Sequence, residues 1–270
     1  MITAGCTLHY TVKGEGPPVV LIQGAGVQGA AWEPQMADLH LQYRCLCFDN
    51  RGSGRSVPNS GPISIERMAA DALALMDHQG WDSVHIVGHS MGGLIALDLA
   101  LNHRARVRSL ALLCTFADGR IPTRPAARMV WIGMRTRVGT RSQRRNAFPE
   151  MVMPQSILAT ADRAKLAHDL GQLFGHDLAD PSPVIMQQLS AMKAYDATPR
   201  LAELSGLPIL IVSADEDLIA PAWAGETMAE AIPTARYVLL TGAAHAVPIH
   251  SPALVNRLLL EHLQAAEPAS

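Results

Sequence analysis

A chain of 270 residues with 49% hydrophobic and 17% charged residues is apolar enough for a large core and too poor in charge for a disordered protein. Its formal net charge of −2 gives no overall attraction to nucleic acid or to anionic membranes. No apolar run approaches the roughly 20 residues that span a bilayer, and the N-terminus lacks the pattern of a signal peptide. We therefore expect a cytoplasmic protein that binds no nucleic acid and does not insert stably into a membrane.

Short β-branched runs alternate with amphipathic helical patterns along most of the chain. The predicted strands are 7–12, 19–23, 43–48, 84–87, 107–114, 209–213 and 236–240. The predicted helices are 65–78, after an N-cap at Ser64, 91–102 and 252–265. Continuous apolar strands bounded by turn residues suit parallel strands that are covered on both faces. The alternation therefore predicts an α/β fold with a doubly wound, mostly parallel sheet.

One long segment breaks this alternation. Residues 116–204 contain no convincing strand, and prolines separate the helical pieces within them. The segment is far too long to be a structureless loop in a compact domain. We therefore predict that residues 1–115 and 205–270 form the core, and that residues 116–204 form a helical lid inserted between two core strands.

The strongest local motif is Gly-His-Ser-Met-Gly at residues 88–92, between a predicted strand and a predicted helix. This is the context of a G-x-S-x-G elbow, in which a sharp turn exposes the serine Oγ and glycines let neighbouring backbones approach. The following helix N-terminus adds backbone N–H groups beside the reacting centre. Ser90 is therefore the predicted nucleophile, and the ring of His89 is expected to point away from its Oγ.

A serine nucleophile needs a histidine base and an orienting acid. His245 follows the last predicted strand, where loops of α/β sheets build their sites, and is the predicted base. His250 is the alternative base. Asp217 is the predicted acid because it follows the strand 209–213, and Asp215 and Asp118 are the alternatives.

Together these residues resemble the α/β-hydrolase superfamily, and within it the esterase, lactonase and carbon–carbon hydrolase branch. The resemblance covers nearly the whole chain, and the order serine, aspartate, histidine is that of the family. Residues 49–56 (Asp-Asn-Arg-Gly-Ser-Gly-Arg-Ser) resemble the family's D-x-R-G-x-G-x-S loop, which we interpret as structural. Ala214 replaces a glycine that usually precedes the acid. The resemblance implies the α/β-hydrolase fold.

The resemblance also implies an oxyanion hole made of backbone N–H groups. In this chain those groups belong to Ala25 and Met91, and each such donor stabilises a transition state by roughly 3 kcal/mol. The family's usual His-Gly is replaced here by Gln23 and Gly24. The Gln23 amide either orders the loop or contacts substrate. Gln23, Gly24 and Trp131 are the expected substrate-binding residues.

The predicted lid carries two unusual groups of side chains. Its methionines suit either a pocket for bulky acyl groups or plain core packing. Its arginines form either a basic rim that attracts a carboxylate or a lipid surface, or a solvated helix face. These arginines are Arg120, Arg124, Arg128, Arg135, Arg137, Arg141, Arg144 and Arg145.

The sequence offers no ligand set for a metal or a cofactor. The four cysteines lack zinc-binding spacing and are expected to be reduced and packed. The glycines near Gly24 lack the acidic residue of a dinucleotide site, so no cofactor is expected. A homodimer is compatible with the sequence, which does not fix the oligomeric state.

The leading hypothesis is hydrolysis of a carboxylic ester or lactone through an acyl-enzyme, with a small apolar or amphipathic ester-like substrate. The alternative is carbon–carbon bond hydrolysis of a β-diketone or ring-fission product by the same three residues. A third hypothesis, a non-catalytic ligand receptor on the same fold, is disfavoured because all three residues are present.

Overall fold

A sheet of seven strands runs through the centre of the computed structural model, which describes residues 1–3, 5–58, 62–123, 127–180 and 182–267. The strands among these residues are β1 Ile2–Thr3, β2 Cys6–Thr7, β3 Tyr10–Lys13, β4 Pro18–Ile22, β5 Arg44–Phe48, β6 Val57–Pro58, β7 Val84–His89, β8 Val107–Leu113, β9 Ile209–Ala214 and β10 Arg236–Leu240.

The spatial order of the large sheet is β10-β9-β8-β7-β4-β5-β3. Every neighbouring pair in it is parallel except β3 with β5. The short strands β1, β2 and β6 form a separate antiparallel sheet. The predicted α/β class with a mostly parallel sheet is therefore confirmed, and β7, which leads to Ser90, lies in the middle.

Helices cover both faces of the sheet. The α-helices among the described residues are α1 Glu33–Leu39, α2 Ile65–His78, α3 Met91–Asn102, α4 Ala127–Arg135, α5 Arg141–Ala147, α6 Pro149–Val152, α7 Gln155–Thr160, α8 Arg163–Phe174, α9 Ile185–Ala194, α10 Ala222–Ala231, α11 Val247–His250 and α12 Pro252–Ala265. Short 3₁₀ helices occupy Gly29–Trp32, Arg104–Arg106, Ile121–Thr123 and Thr198–Leu204.

Two apolar clusters separate the layers of the fold. The apolar sides of α2, α3 and α10 pack in one cluster with strand residues such as Ile86. The apolar sides of α1 and α12 pack in the other cluster with residues such as Val87. Because successive residues of a strand point to opposite faces, the sheet is covered on both sides and the doubly wound arrangement follows.

Most observed strands begin or end one or two residues away from their predicted bounds, and two of the differences have a visible cause. The predicted opening strand is interrupted at His9, whose backbone N–H donates to Ser56 Oγ at 2.9 Å instead of joining one continuous ladder. The predicted strand 107–114 ends one residue early because Cys114 has a φ of 45°, which is outside the extended region. The predicted helices at 65–78, 91–102 and 252–265 have the observed bounds, and Ser64 Oγ caps α2 by accepting the N–H of Arg67.

The segment between β8 and β9 is helical in its described part. Its two ends meet at a single antiparallel bridge between Asp118 and Asp196. Inside it, residues such as Val152, Leu158 and Leu170 form a third small apolar cluster, which Ala246 of the core also joins. The division into a core and a lid remains a prediction. No helix within the described ranges is long and apolar enough to cross a membrane.

Candidate active site

Ser90 lies at the sharp turn between β7 and α3. Its φ of 55° and ψ of −121° are strained for a residue with a side chain. A Cβ on Gly88 would collide with the backbone carbonyl of Gly92, and one on Gly92 would collide with that of Ile22. Glycine at these two positions therefore lets α3 approach β4 and β7 closely enough to form the elbow.

Hydrogen bonds hold this strained turn in place. The Ser90 N–H donates to the Leu113 carbonyl at 3.1 Å, and the Ser90 carbonyl accepts from Thr115 Oγ1 at 2.6 Å. Thr115 is almost fully buried beneath the elbow. Sequence reasoning missed this residue, because a lone threonine after a strand carries no motif.

His245 and Asp217 are in direct contact. His245 Nδ1 lies 2.8 Å from Asp217 Oδ2, and both side chains are almost fully buried. The other oxygen, Oδ1, accepts the backbone N–H groups of Ile219 and Ala220 at 2.8 Å each. A carboxylate that only accepts hydrogen bonds places the proton on Nδ1, which leaves Nε2 of His245 free to accept one.

The alternative acids and base have structural partners instead. Asp215 Oδ1 accepts the N–H groups of Gly242 and Ala243 at 2.8 and 3.3 Å, and so orders the loop that leads to His245. Asp118 forms an ion pair with Arg120. His250 Nε2 accepts the N–H of Ala244 at 3.2 Å.

His89 packs directly against the ring of His245, which the sequence did not indicate. The two ring centroids are 4.8 Å apart, and His89 Nε2 lies 2.8 Å from the His245 carbonyl oxygen. Because a carbonyl can only accept, Nε2 of His89 must carry a proton. Burial lowers the pKa of His89 to about 3, so this ring is neutral at pH 7.

The loop after β4 lies against Ser90. A Cβ on Gly24 would lie 3.1 Å from Ser90 Cβ. The Gly24 N–H donates to Gln23 Oε1 at 3.1 Å, so the Gln23 amide does order the loop, and Gln23 and Gly24 also line the cavity beside Ser90. Among the described residues, nothing accepts the N–H of Ala25 or of Met91. Their contact with substrate or oxyanion remains a prediction.

A buried glutamine of the inserted segment also reaches this loop. Gln188 on α9 accepts the N–H of Gly26 on its Oε1 at 2.7 Å. Its Nε2 donates to Ser53 Oγ at 3.1 Å and to the Arg51 carbonyl at 3.3 Å. Nothing in the sequence distinguishes this glutamine from its neighbour Gln187.

The loop 49–56 supports the site from below. Asp49 accepts two backbone N–H groups at 2.7 Å each. The buried Arg51 binds Asp71 through two hydrogen bonds of 2.9 and 2.6 Å. Gly52 and Gly54 have φ values of 83° and 51°. These contacts confirm the structural role expected for the loop.

Ser90 and His245 open into one cavity of about 350 Å³. Its wall is mostly apolar, and Phe148 and Phe174 meet edge to face with centroids 5.6 Å apart. Trp131 is not among the described residues of the wall, and its side chain is 58% exposed, so its contact with substrate stays a prediction. Trp131 lies on the amphipathic α4, whose buried residue is Ile132.

Most arginines of the predicted basic rim pair with carboxylates of the same segment. Arg124 lies outside the described residues. The pairs are Arg120 with Asp118 and Asp196, Arg135 with Glu150, Arg141 with Asp177 and Asp180, Arg144 with Asp180, and Arg145 with Asp177. Hydrogen bonds from the Arg145 side chain, the Ala179 backbone N–H and the Arg141 side chain hold the pKa of Asp177 far below its ordinary value. These ion pairs therefore connect different parts of the segment 116–204 to one another.

Comparison with known proteins points to one family. A model of the alpha/beta hydrolase fold matches residues 17–252. A protein of Agrobacterium fabrum named "Putative carbamate hydrolase RutD" is 31% identical, over 96% of this chain and 99% of its own. The enol-lactonase from Burkholderia xenovorans LB400 is similar in structure to this chain, with a TM-score of 0.80. A thermophilic esterase from Thermogutta terrifontis is also similar, with a TM-score of 0.79.

The two solved structures cover nearly the whole chain. The enol-lactonase is 28% identical, and the alignment covers 96% of this chain and 97% of that one. The esterase is 25% identical, and the alignment covers 97% of this chain and 94% of that one. The similarity therefore extends to the inserted segment as well as to the sheet.

Proposed function

We propose, because this chain belongs to the alpha/beta hydrolase fold family, that it is a serine hydrolase that cleaves a carboxylic ester or lactone through an acyl-enzyme. Ser90 is the nucleophile, His245 the base and Asp217 the acid. The observation that carries the proposal is the buried 2.8 Å contact between His245 and Asp217, in a site where His245 shares a cavity with the strained Ser90.

The reaction begins when Ser90 Oγ attacks the substrate carbonyl while His245 Nε2 takes its proton. The tetrahedral oxyanion accepts hydrogen bonds from the N–H groups of Ala25 and Met91. The intermediate then expels the leaving oxygen, which takes the proton from His245. A water molecule, deprotonated by His245, then attacks the acyl-enzyme. The second tetrahedral intermediate expels Ser90 Oγ, which takes that proton back from His245, and the carboxylic acid is released.

The segment 116–204 acts as the lid of this site in our proposal. It supplies most of the apolar wall, including Phe148, Met151 and Phe174. Apolar side chains near the scissile bond favour a small apolar or amphipathic acyl group and reduce the access of bulk water.

Carbamate hydrolysis is the second candidate, and the names of the relatives favour it. A carbamate carbonyl can follow the same steps, with a carbamoyl-enzyme in place of the acyl-enzyme. The oxyanion donors are backbone groups, so they serve both substrate classes equally. Carbon–carbon hydrolysis has no contact in the described site that favours it over acyl transfer.

The test is turnover of p-nitrophenyl esters of increasing acyl length and of a p-nitrophenyl N-alkyl carbamate, with Ser90→Ala as the control. We expect p-nitrophenol release by the wild-type protein and a loss of about 10⁴-fold or more in kcat for Ser90→Ala. The ratio of ester to carbamate turnover decides between the two candidates. Equal rates for wild type and Ser90→Ala would contradict the proposal.

A further inference from the structure

One buried amide joins the inserted segment to the loop of the predicted oxyanion hole. Gln188 uses its acceptor on the Gly26 N–H and both its donors on the segment that contains Arg51 and Ser53. It is fully buried. The loop and α9 also touch at Gly26, where an added Cβ would lie 3.2 Å from Ile185 Cδ1.

The peptide that carries the Ala25 N–H lies between two peptides whose N–H groups have side-chain acceptors. The Gly24 N–H is held by the Gln23 side chain, and the Gly26 N–H is held by Gln188. Gly26 has a φ of 71°, so the chain turns sharply at this point. A buried N–H that loses its acceptor has to find another, and the peptide planes next to it rotate when it does.

We propose that Gln188 is a positioning residue for the oxyanion hole, and that the hole is complete only while α9 is docked on the loop. This inference rests on the proposed function. Gln188 does not touch the substrate; it fixes the Gly26 peptide and thereby keeps the Ala25 N–H directed toward Ser90.

The test compares Gln188→Met, Gln188→Glu and Gln187→Met with wild type. Gln187 is its exposed neighbour on the same helix and provides the matched control. We expect Gln188→Met to lower kcat for p-nitrophenyl butyrate at least about tenfold, with a change in KM of less than about threefold. Its affinity for butylboronic acid, which becomes tetrahedral on a serine, should fall by a similar factor. Gln188→Glu retains an acceptor for Gly26 and should recover part of kcat.

The outcomes separate this inference from the proposed function. A Gln188→Met protein with lowered melting temperature but wild-type kcat and boronic acid affinity would overturn the positioning role. If Gln188→Met does not fold, Gln188→Asn replaces it, because its shorter side chain withdraws the acceptor from the Gly26 N–H, and equal kcat values for Gln188→Asn and wild type would overturn the positioning role. If the wild type turns over neither ester nor carbamate, the proposed function fails, and equal boronic acid affinities of wild type and Gln188→Met would overturn the inference independently.

A different observation concerns the charges on the cavity wall. Arg137 is an exposed residue that lines the cavity, and its guanidinium forms no hydrogen bond or ion pair with any described residue. Asp180 also lines it, but its carboxylate lies 2.6 Å from Arg141 Nη2. Burial lowers the pKa of His176, another wall residue, which is therefore neutral at pH 7. Among the described wall residues, the guanidinium of Arg137 is thus the charge without a counterion.

We infer that the substrate carries a carboxylate on the part that lies under the inserted segment, where Arg137 binds it. This inference also rests on the proposed function, and it deepens it: an apolar cavity with one cation at its rim suits a monoester or lactone of a dicarboxylic acid. The apolar wall holds the connecting carbon chain between the scissile carbonyl and the carboxylate.

The test uses mono-p-nitrophenyl adipate and suberate against the neutral hexanoate and octanoate esters. We expect wild type to favour the charged esters, and Arg137→Met to lower the charged-to-neutral ratio of kcat/KM about tenfold, chiefly through KM. Added salt should lower the same ratio in wild type. Arg128→Met is the matched control, since Arg128 is an exposed arginine of α4 that does not line the cavity.

Direct binding keeps this inference testable when turnover fails. Calorimetric titration with adipate should give weaker binding to Arg137→Met than to wild type or Arg128→Met. Equal charged-to-neutral ratios in wild type and Arg137→Met, while the neutral esters are hydrolysed, would overturn the carboxylate site and leave the proposed function standing. If no ester is hydrolysed, the proposed function fails, and adipate binding that is unchanged by Arg137→Met would overturn this inference as well.

Discussion

The reactivity that we propose for Ser90 depends on hydrogen bonds that fix the backbone of Ser90 and the position of His245. Its carbonyl is fixed by Thr115 and its N–H by the Leu113 carbonyl. His245 is fixed from two directions, by Asp217 on its Nδ1 and by His89 on its backbone carbonyl. A rigid arrangement of this kind spares the reaction the cost of orienting the groups in each cycle.

Replacing Asp217 by Asn tests the acid at the residue scale. The amide can donate to Nδ1 of His245, which moves the ring proton to Nε2 and prevents that atom from taking the serine proton. We expect kcat to fall about 10⁴-fold with the fold intact. Asp215→Asn is the matched control, because its remaining oxygen can still accept the Gly242 and Ala243 N–H groups, and we expect a loss of less than about tenfold. Similar losses for both variants would rule against Asp217.

Replacing glycine by alanine should have opposite effects on stability at the elbow and in the inserted segment. Gly92→Ala brings a methyl group into the Ile22 carbonyl, so we expect little folded or active protein. Gly133 in α4 has no atom within 4 Å of an added Cβ, and Gly133→Ala should stabilise the protein by about 0.5–1 kcal/mol. Urea unfolding measures both, and a fully stable Gly92→Ala protein would contradict the account of the elbow.

Single residues were predictable where a motif fixes their surroundings and unpredictable where only the fold does. Ser90, Asp217 and His245 follow strands at recognisable positions. Gln188 and Thr115 lie far from Ser90 in sequence or carry no pattern, and they are recognised only by their hydrogen bonds. The exposure of Trp131 was not predictable, because an aromatic residue on an amphipathic helix can face either the cavity or solvent, and periodicity alone does not determine which.

At the scale of elements, the strands and long helices were predictable from the sequence because burial on both faces gives uninterrupted apolar runs. The sequence did not indicate the break at His9 or the early end of β8. Both depend on partners from elsewhere in the chain, namely Ser56 for His9 and, after β8, the Val212 carbonyl that accepts the Cys114 N–H at 2.8 Å.

His262, on helix α12, should make the free energy of unfolding depend on pH. Burial, with His85 nearby, lowers the pKa of His262 to about 4 from an ordinary value of 6.5. Between pH 6.5 and 4 the unfolded chain therefore binds this proton more readily than the folded one, so the stabilisation is complete above pH 6.5 and is lost as pH falls toward 4. His262→Asn should reduce the slope of unfolding free energy against pH by at most about 1.4 kcal/mol per unit. An unchanged slope in urea titrations at several pH values would contradict this.

At the scale of the whole molecule, the inserted segment is attached to the core on both sides of Ser90. On one side, the Ala246 N–H beside His245 donates to the Val152 carbonyl at 2.9 Å. On the other side, Gln188 holds the loop of Ala25. The segment thus contributes to the geometry of the predicted base and of the predicted oxyanion hole, in addition to the wall of the cavity.

The central claim is that an acyl group is transferred to Ser90, and mass spectrometry of the protein quenched during turnover of a slowly hydrolysed p-nitrophenyl ester tests it most directly. We predict an intact mass raised by one acyl group, a peptide map that locates the group on Ser90, and no adduct on Ser90→Ala. An acyl group on another residue, or undiminished hydrolysis by Ser90→Ala, would contradict the account.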